Sequence, residues 1–366
     1  MTSLRTRQCC LRLGAVAALA LVIAPARALA TSVARPGAET AVGEYRGTIV
    51  FSAYDQTERR WYLSIRVPGG TEPRRLSIAP SPMPFDADIG TDSDGRPELI
   101  YQRCAATTTT VPGIVPTAPI TEITRTGCEL YVYSLATGTG ERAVRNANDG
   151  SHDDVNATLW NGRIAWTREY GSGKAAHPVV YTKTLTAPRS QPSRRLPGVP
   201  HSRCGDVDKV CGPTADRNVE ALELSGDDLA VSVTYSCEGC SGIAQRELRL
   251  DDVASGSARR VALVVAGLNG QRFVGPSFFG GRLAWYRACA VSEASCRTFV
   301  GPWRYRMSTR TYERGTPGPV VLPGFADTGS SLYEVVDCHA PEAAELNANC
   351  RIDQITPPTY SVVPAS

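Results

Sequence analysis

The sequence predicts an all-β chain: a six-bladed β-propeller, with six small antiparallel sheets fanned about one axis. Three observations predict it. Apolar residues come in short bursts of alternating exposure, and long stretches with an apolar residue every third or fourth position are missing. Glycine and proline are abundant, 33 and 26 of 366 residues, while methionine occurs only 3 times, which suits many short strands joined by turns. One grammar of strand, turn and strand recurs six times along the chain.

The copies follow in order. The first, residues 43–82, carries "YRGTIVFSAYD", "RWYLSIRVPGG" and "PRRLSIA"; the second, 83–148, carries "DADIGTDSDGRPELIYQRC" and "CELYVYSLATGTGERAV". In the third, 149–200, "LWNGRIAWTREY" leads to "PVVYTKTL" and "SRRLPG". The fourth, 212–264, pairs "LSGDDLAVSVTYSC" with "RELRLDDVASGSARRVAL", and the fifth, 265–322, pairs "FFGGRLAWYRAC" with "WRYRMSTRTY". The last, 323–366, runs from "SSLYEVVDC" to the C-terminus. Three or four antiparallel strands per copy is the content of one blade. "SDG", "WNG" and "FGG" are then one recurring corner, where a tight hairpin turn needs the positive φ that glycine adopts without a Cβ clash.

Residues 1–30 stand apart. Arg5, Arg7 and Arg12 precede the apolar run "LGAVAALALVIA", too short to span a bilayer, and "ALA" at Ala28–Ala30 supplies small residues for cleavage, so this is expected to be a signal peptide. Residues 31–42 are expected to be a flexible lead-in. No second apolar run reaches membrane-spanning length, so the mature chain is expected to be secreted or held in the cell envelope, soluble and monomeric.

The formal net charge is +3. No Lys/Arg cluster interleaved with stacking aromatics is present, which argues against nucleic acid as a partner. The "RR" pairs beginning at Arg74, Arg194 and Arg259 fall at matching places in the repeat and are expected on solvated strands.

Ten cysteines follow the leader, and in an exported chain they are expected to form five local disulfides between neighbours: Cys104 with Cys128, Cys204 with Cys211, Cys237 with Cys240, Cys289 with Cys296, and Cys338 with Cys350. Three of these residues end apolar strands, so a bridge there ties a strand to its hairpin partner. Cys204, Cys211, Cys237 and Cys240 permit three pairings, and "CEGC" also has the close spacing of zinc and dithiol sites. Export favours oxidation over thiolate coordination.

The stretch from Asp86 to Cys104 could be a metal loop or a blade corner. An EF-hand-like loop places ligating oxygens at alternate positions and ends in a distant glutamate. Here Gly90 sits where the first ligand belongs and Glu98 comes too early, so a corner is the better account.

Propellers bind ligands at the mouth of the central channel. Counting back from the matched apolar strands places Asp88, Asp153, Asn218 and Arg272 at similar positions before their turns, with Asp86, Asp154, Asn156 and Glu220 close by. Such a ring of hard oxygen donors could take calcium or a polar ligand; the plainer account is that any channel mouth is solvated and collects polar side chains.

Catalytic signatures are missing. There is no HExxH and no GxSxG, and "GSGK" at Gly171 lacks the first glycine and the hydroxyl residue of a phosphate loop. Of four histidines only His152, beside Asp153, falls near the expected channel. The Thr/Pro-rich segment Ala105–Thr126 reads as an excursion clipped at its base by Cys104 and Cys128.

"SDGRPELIYQR", "WNGRIAWTRE" and "GGRLAWYRA", each followed by a strand and then a glycine turn, resemble the repeats of TolB-type, WD-repeat-like propellers of bacterial envelope proteins. The family hallmark "SPDG" is approached only by Ser93, Asp94 and Gly95, without the proline. The resemblance implies a propeller of the envelope or secretome; the repeat and the missing catalytic constellation lead to the expectation of a non-enzymatic scaffold that binds a protein or envelope polymer through one face, with no cofactor unless calcium. The alternative is a calcium-dependent hydrolase or lactonase-like propeller with an acidic channel mouth.

Overall fold

The computed structural model describes residues 30–38, 40–111, 120–170, 177–196, 217–236, 243–265, 271–289, 300–319, 322–336, 338 and 350–364. Every regular element among them is a strand, and the strands form six separate antiparallel sheets.

The first strand, β1 (Thr31–Ala34), is set aside by the chain for the last sheet. Blade 1 holds β2 (Val42–Tyr45), β3 (Thr48–Asp55), β4 (Arg60–Arg66) and β5 (Arg74–Arg75). Blade 2 holds β6 (Ala87–Thr91), the long β7 (Pro97–Val111) and β8 (Ile120–Ser134), and β9 (Thr139–Ala143). In blade 3 come β10 (Asp153–Trp160), β11 (Arg163–Tyr170), β12 (His177–Thr184) and β13 (Arg194–Arg195). Blade 4 has β14 (Arg217–Ser225), β15 (Asp228–Ser236), β16 (Ile243–Asp252) and β17 (Ala258–Val265). Blade 5 has β18 (Gln271–Phe279), β19 (Arg282–Cys289), β20 (Gly301–Arg306) and β21 (Thr311–Arg314). Blade 6 has β22 (Phe325–Asp327), β23 (Leu332–Val336) and β24 (Arg351–Ile355), and β25 (Ser361–Val363) ends the chain.

Two ends of the chain depart from expectation. Residues 31–34 are not a loose lead-in: β1 pairs with β24, Thr31 opposite Gln354 and Ala34 opposite Ile352, and supplies the outermost strand of blade 6. The tail also leaves its expected copy, since β25 pairs with β21 and adds a fifth strand to blade 5. Both shifts have one physical cause. An outer edge offers unpaired backbone donors and acceptors, and pairing the termini there satisfies them.

The ring closes through its innermost strands, each packing on the next: β2 on β6, β6 on β10, β10 on β14, β14 on β18, β18 on β22, and β22 back on β2. Apolar cores fill every junction between blades. Ile100, Leu130 and Val132 of blade 2 meet Leu159, Ile164 and Trp166 of blade 3, and Val33, Ala34 and Ile352 meet Ile49 and Phe51 where blade 6 returns to blade 1. The second strand of each blade is covered by neighbours on both faces, which is why "LIY", "IAW" and "LAWY" read as unbroken apolar runs.

The recurring corner is real. Asn161–Gly162 and Gly280–Gly281 both have two successive positive φ values, 47° and 71° then 49° and 71°, the type I′ signature whose twist suits a hairpin. In the "SDG" corner the Asp92 carboxylate accepts the backbone N–H of Asp94 and Arg96 at 2.9 and 2.8 Å, so its oxygens fix the turn. The "RR" strands β5 and β13 are exposed outer edges, as expected.

Cys104–Cys128 joins β7 to β8 and Cys338–Cys350 joins the end of β23 to the start of β24. Cys289 is also disulfide-bonded. Cys204, Cys211, Cys237, Cys240 and Cys296 lie outside the described residues, as does "GSGK".

Candidate functional site

Inside the ring, a cavity of about 400 Å³ takes in residues at the starts of the innermost strands: Ala41, Asp86, Asn218, Arg272 and Pro323. Its floor is formed by Asp88 and Glu223, deeper along the axis. All six blades contribute to the wall.

The innermost strands aim these side chains by means of a repeated irregularity. Register slips between Val155 and Thr158 in β10, between Val219 and Ala221 in β14, and between Val274 and Ser277 in β18. Each is a β-bulge, which re-aims side chains at the rim of a closed sheet system. Asn156 and Glu220 occupy two of the bulges and both reach the cavity wall. Asn156 takes φ of 50° to do so, accepting the strain because its N–H reaches Gln102 Oε1 at 3.1 Å and its Nδ2 donates to the Val219 carbonyl. One residue thereby ties blades 2, 3 and 4 together.

Six of the sequence-predicted residues line the cavity: Asp86, Asp88, Asn156, Asn218, Glu220 and Arg272. Asp153 and Asp154 do not. Asp153 Oδ1 accepts the N–H of Cys128 at 2.7 Å, holding the base of the long hairpin. Asp154 is buried within its own blade, accepting from Trp166 Nε1 at 2.9 Å and from Arg168 at 2.8 and 3.0 Å. The period of two is the reason: consecutive residues on β10 face opposite sides until the bulge resets the phase. His152 lies outside the cavity as well, beside Asp149 at 2.8 Å.

Asp88 lines the channel, yet its oxygens are occupied. They accept from Ile89 N at 2.7 Å, Thr158 Oγ1 at 2.8 Å and Leu159 N at 3.0 Å. Burial nevertheless outweighs these donors and pushes the carboxyl up to about 6. Asp86 is pushed up to about 6 by burial, with Arg125 opposing, although part of its surface stays open to the cavity. Burial also holds Glu223 well above the usual carboxylate range, reinforced by Asp88 and Glu44. Glu44, one level below the floor, is pushed up to about 7 by burial, against the Gly47 N–H and with Asp88 and Asp327 adding repulsion.

The mouth is different in character. Arg125 of β8, Arg246 of β16 and Arg272 of β18 line it. Sequence reasoning missed Arg125 and Arg246 because they come from third strands, whose side chains reach the axis only through the folded ring; no local spacing marks them. Arg246 lies 3.7 Å from Glu220 and donates through Nη1 to the Gln271 carbonyl. Burial pulls its guanidinium below the ordinary value, with Glu220 opposing and Arg272 adding to the effect.

Among the described residues no three His, Cys, Asp or Glu side chains are placed to hold a metal ion. Asp153 and Asp154 turn away from the cavity, and the Asp88 oxygens accept from protein donors.

No protein-family profile and no curated protein matches the sequence. Solved structures do resemble the fold. TolB from Acinetobacter baumannii aligns with a TM-score of 0.45 and 13% identity over 87% of this chain and 66% of that one. An oligogalacturonate lyase in complex with manganese gives 0.44 and 11%, covering 87% and 76%. Oligogalacturonate lyase from Vibrio parahaemolyticus gives 0.42 and 8%, covering 89% and 91%. The chain thus spans just under two thirds of the TolB chain it resembles. At this identity the likeness concerns the fold alone.

Proposed function

We propose that the protein is an exported, non-enzymatic, monomeric scaffold that binds a protein or cell-envelope polymer through the face on which the innermost strands begin. The observation carrying this reading is the cavity itself: an opening walled by all six blades, with polar side chains at the rim and none of the catalytic constellations sought in the sequence. The two described disulfides tie second strands to third strands in blades 2 and 6, and bridges of that kind are compatible with an oxidising compartment. Among the described residues no helix is long and apolar enough to cross a membrane.

The test is affinity capture from envelope extracts with the wild-type protein and with Asn218→Trp, which plugs the mouth from an exposed rim position. A partner recovered reproducibly by the wild type and lost in the variant supports the reading. Recovery of no partner, or equal recovery by both proteins, overturns it.

The alternative, a calcium-dependent hydrolase, draws on Asp86, Asp88 and Glu223, whose raised carboxyls in a cleft have the character of functional groups. No three His, Cys, Asp or Glu side chains among the described residues are grouped to hold a metal ion, and the scaffold reading is preferred for the opening that all six blades share. A melting temperature raised by millimolar calcium would reverse that preference.

A further inference from the structure

The arginines of the cavity lie at its mouth, where Asp86 and Glu220 also stand, and its floor is acidic. Arg246 and Arg272 meet at the mouth, from blades 4 and 5, while Asp88 and Glu223 form the floor with Glu44 beneath. Repulsion from Asp88 and Glu44 bears on Glu223, and repulsion from Asp88 and Asp327 bears on Glu44, with the Gly47 N–H opposing.

The two arginines are anchored but incompletely used. Arg246, only 9% exposed, is fixed through Nη1 to the Gln271 carbonyl, and Arg272 through Nη2 to the Leu322 carbonyl at 3.3 Å. The Nε of each is buried without a hydrogen-bond partner. Glu220, at 3.7 Å, is too distant from Arg246 Nε to hydrogen-bond to it. A buried donor left unpaired is costly, and a guanidinium offers a planar fork that matches a two-oxygen acceptor. Arg272 repels Arg246, Glu220 offsets that only from one side, and an anion between the two forks would relieve the rest. A phosphate dianion is a poor candidate, because the carboxylates below would repel its second charge.

We propose that the cavity binds a small amphoteric ligand, an amino carboxylate whose carboxylate lies between Arg246 and Arg272 and whose ammonium points down to Glu223. A volume of about 400 Å³ suits such a molecule. The inference shares the channel with the scaffold reading, but not its macromolecular partner, and the two are tested separately.

The experiment is calorimetric titration of the full-length mature protein with a series of ω-amino acids from glycine to aminohexanoate. Straight-chain alkanoates and alkylamines of matching length serve as single-charge probes. One length of amino acid is expected to bind saturably, at least tenfold more tightly than its alkanoate and its amine. Arg272→Gln, at a half-buried position, is expected to weaken both carboxylate ligands at least tenfold with the melting temperature preserved. Glu223→Gln is expected to erase the preference of the wild type for the amino acid over the alkanoate. The inference is overturned if no member of the series binds, if the amine binds as well as the amino acid, or if a folded Arg272→Gln protein retains wild-type affinity. None of these failures decides partner capture, which is read with Asn218→Trp and a macromolecular partner.

Discussion

Arg304 of β20 grips the carboxylate of Asp327 in β22 with two parallel hydrogen bonds, Nε to Oδ2 at 2.8 Å and Nη2 to Oδ1 at 2.9 Å, across the junction of blades 5 and 6. Asp327 is wholly buried, and the guanidinium is sandwiched between Tyr360, 3.9 Å from the ring centroid, and Phe279 at 4.7 Å. The Tyr360 hydroxyl also reaches Asp327 at 3.4 Å. The pair thus joins the returning tail to the last junction of the ring.

Removing one partner leaves the other charged and buried, which costs more than the pair contributes. Arg304→Leu or Asp327→Asn is therefore expected to lower stability by about 3 to 5 kcal/mol, read as a shifted midpoint in urea denaturation. A loss below about 1 kcal/mol would mean that the carboxyl is solvated or rearranges.

The inner ring is packed to the limit of backbone contact, and two glycines separate the reasons for using glycine. A Cβ on Gly90 would lie 2.0 Å from the Leu159 carbonyl oxygen of the next blade, whereas one on Gly95, at φ of 78°, would meet nothing within 4 Å. Gly90→Ala is expected to force blades 2 and 3 apart, giving a protein that fails to fold or melts far lower. Gly95→Ala is expected to cost about 1 to 2 kcal/mol, the penalty of a left-handed conformation alone. Circular dichroism melts of the two variants distinguish these effects, and equal shifts would refute the close approach.

These glycines also show where the sequence is legible. Gly95 belongs to a turn written in four adjacent letters, and corners of that kind reveal the repeat and so the fold. Gly90 is dictated by a carbonyl sixty-nine residues later, which no local pattern announces. The site divides in the same way. Asn218 and Arg272 were placed by counting along the repeat, but the count misdirects Asp153 and Asp154 because a bulge at Asn156 shifts the phase of the strand by one residue. Arg125 and Arg246 come into view only when third strands are folded onto the axis. The pairing of β1 with blade 6 is illegible for a further reason, since four unremarkable residues find their partner more than three hundred positions away.

Stability is expected to rise on mild acidification. Glu44 is pushed up to about 7, and Asp86, Asp88 and Asp251 to about 6, from ordinary values of 4.5 and 3.8, burial being the leading cause for each. Between pH 4 and 7 the folded chain therefore holds more protons than the unfolded one, and the stability of the fold falls as pH rises through that window. Each group contributes on the order of 1 kcal/mol between pH 5 and 7, less where neighbours such as Glu44 and Asp88 are coupled. Below pH 4 the trend reverses as carboxylates held low, Asp149 at about 2 among them, become protonated. Urea midpoints are expected to peak near pH 5, and Glu44→Gln should raise the midpoint at pH 7 while flattening the profile. A midpoint that climbs steadily from pH 5 to 7 would contradict the burial of these groups.

The head of the chain closes the circle with four residues, and that closure can be removed cleanly. Val33 and Ala34 of β1 are buried against Ile352, Val42 and Ile49, and the strand pairs with β24 from Thr31 to Ala34. Losing this apolar contact costs about 2 to 3 kcal/mol, and the outer edge of β24 loses its backbone partners as well. A chain beginning at Arg35 is expected to fold but to melt several degrees lower, with amide exchange accelerated first in β24 and then in β23. Reduction of Cys338–Cys350, which spans 12 residues and joins those two strands, removes about 3 kcal/mol of loop-closure restraint on the same sheet. Applied together, truncation and reduction should release blade 6 at temperatures where blades 2 to 4 keep their protected amides. Uniform exchange across all six blades would show instead that the ring unfolds as one unit, with no weak seam where its ends meet.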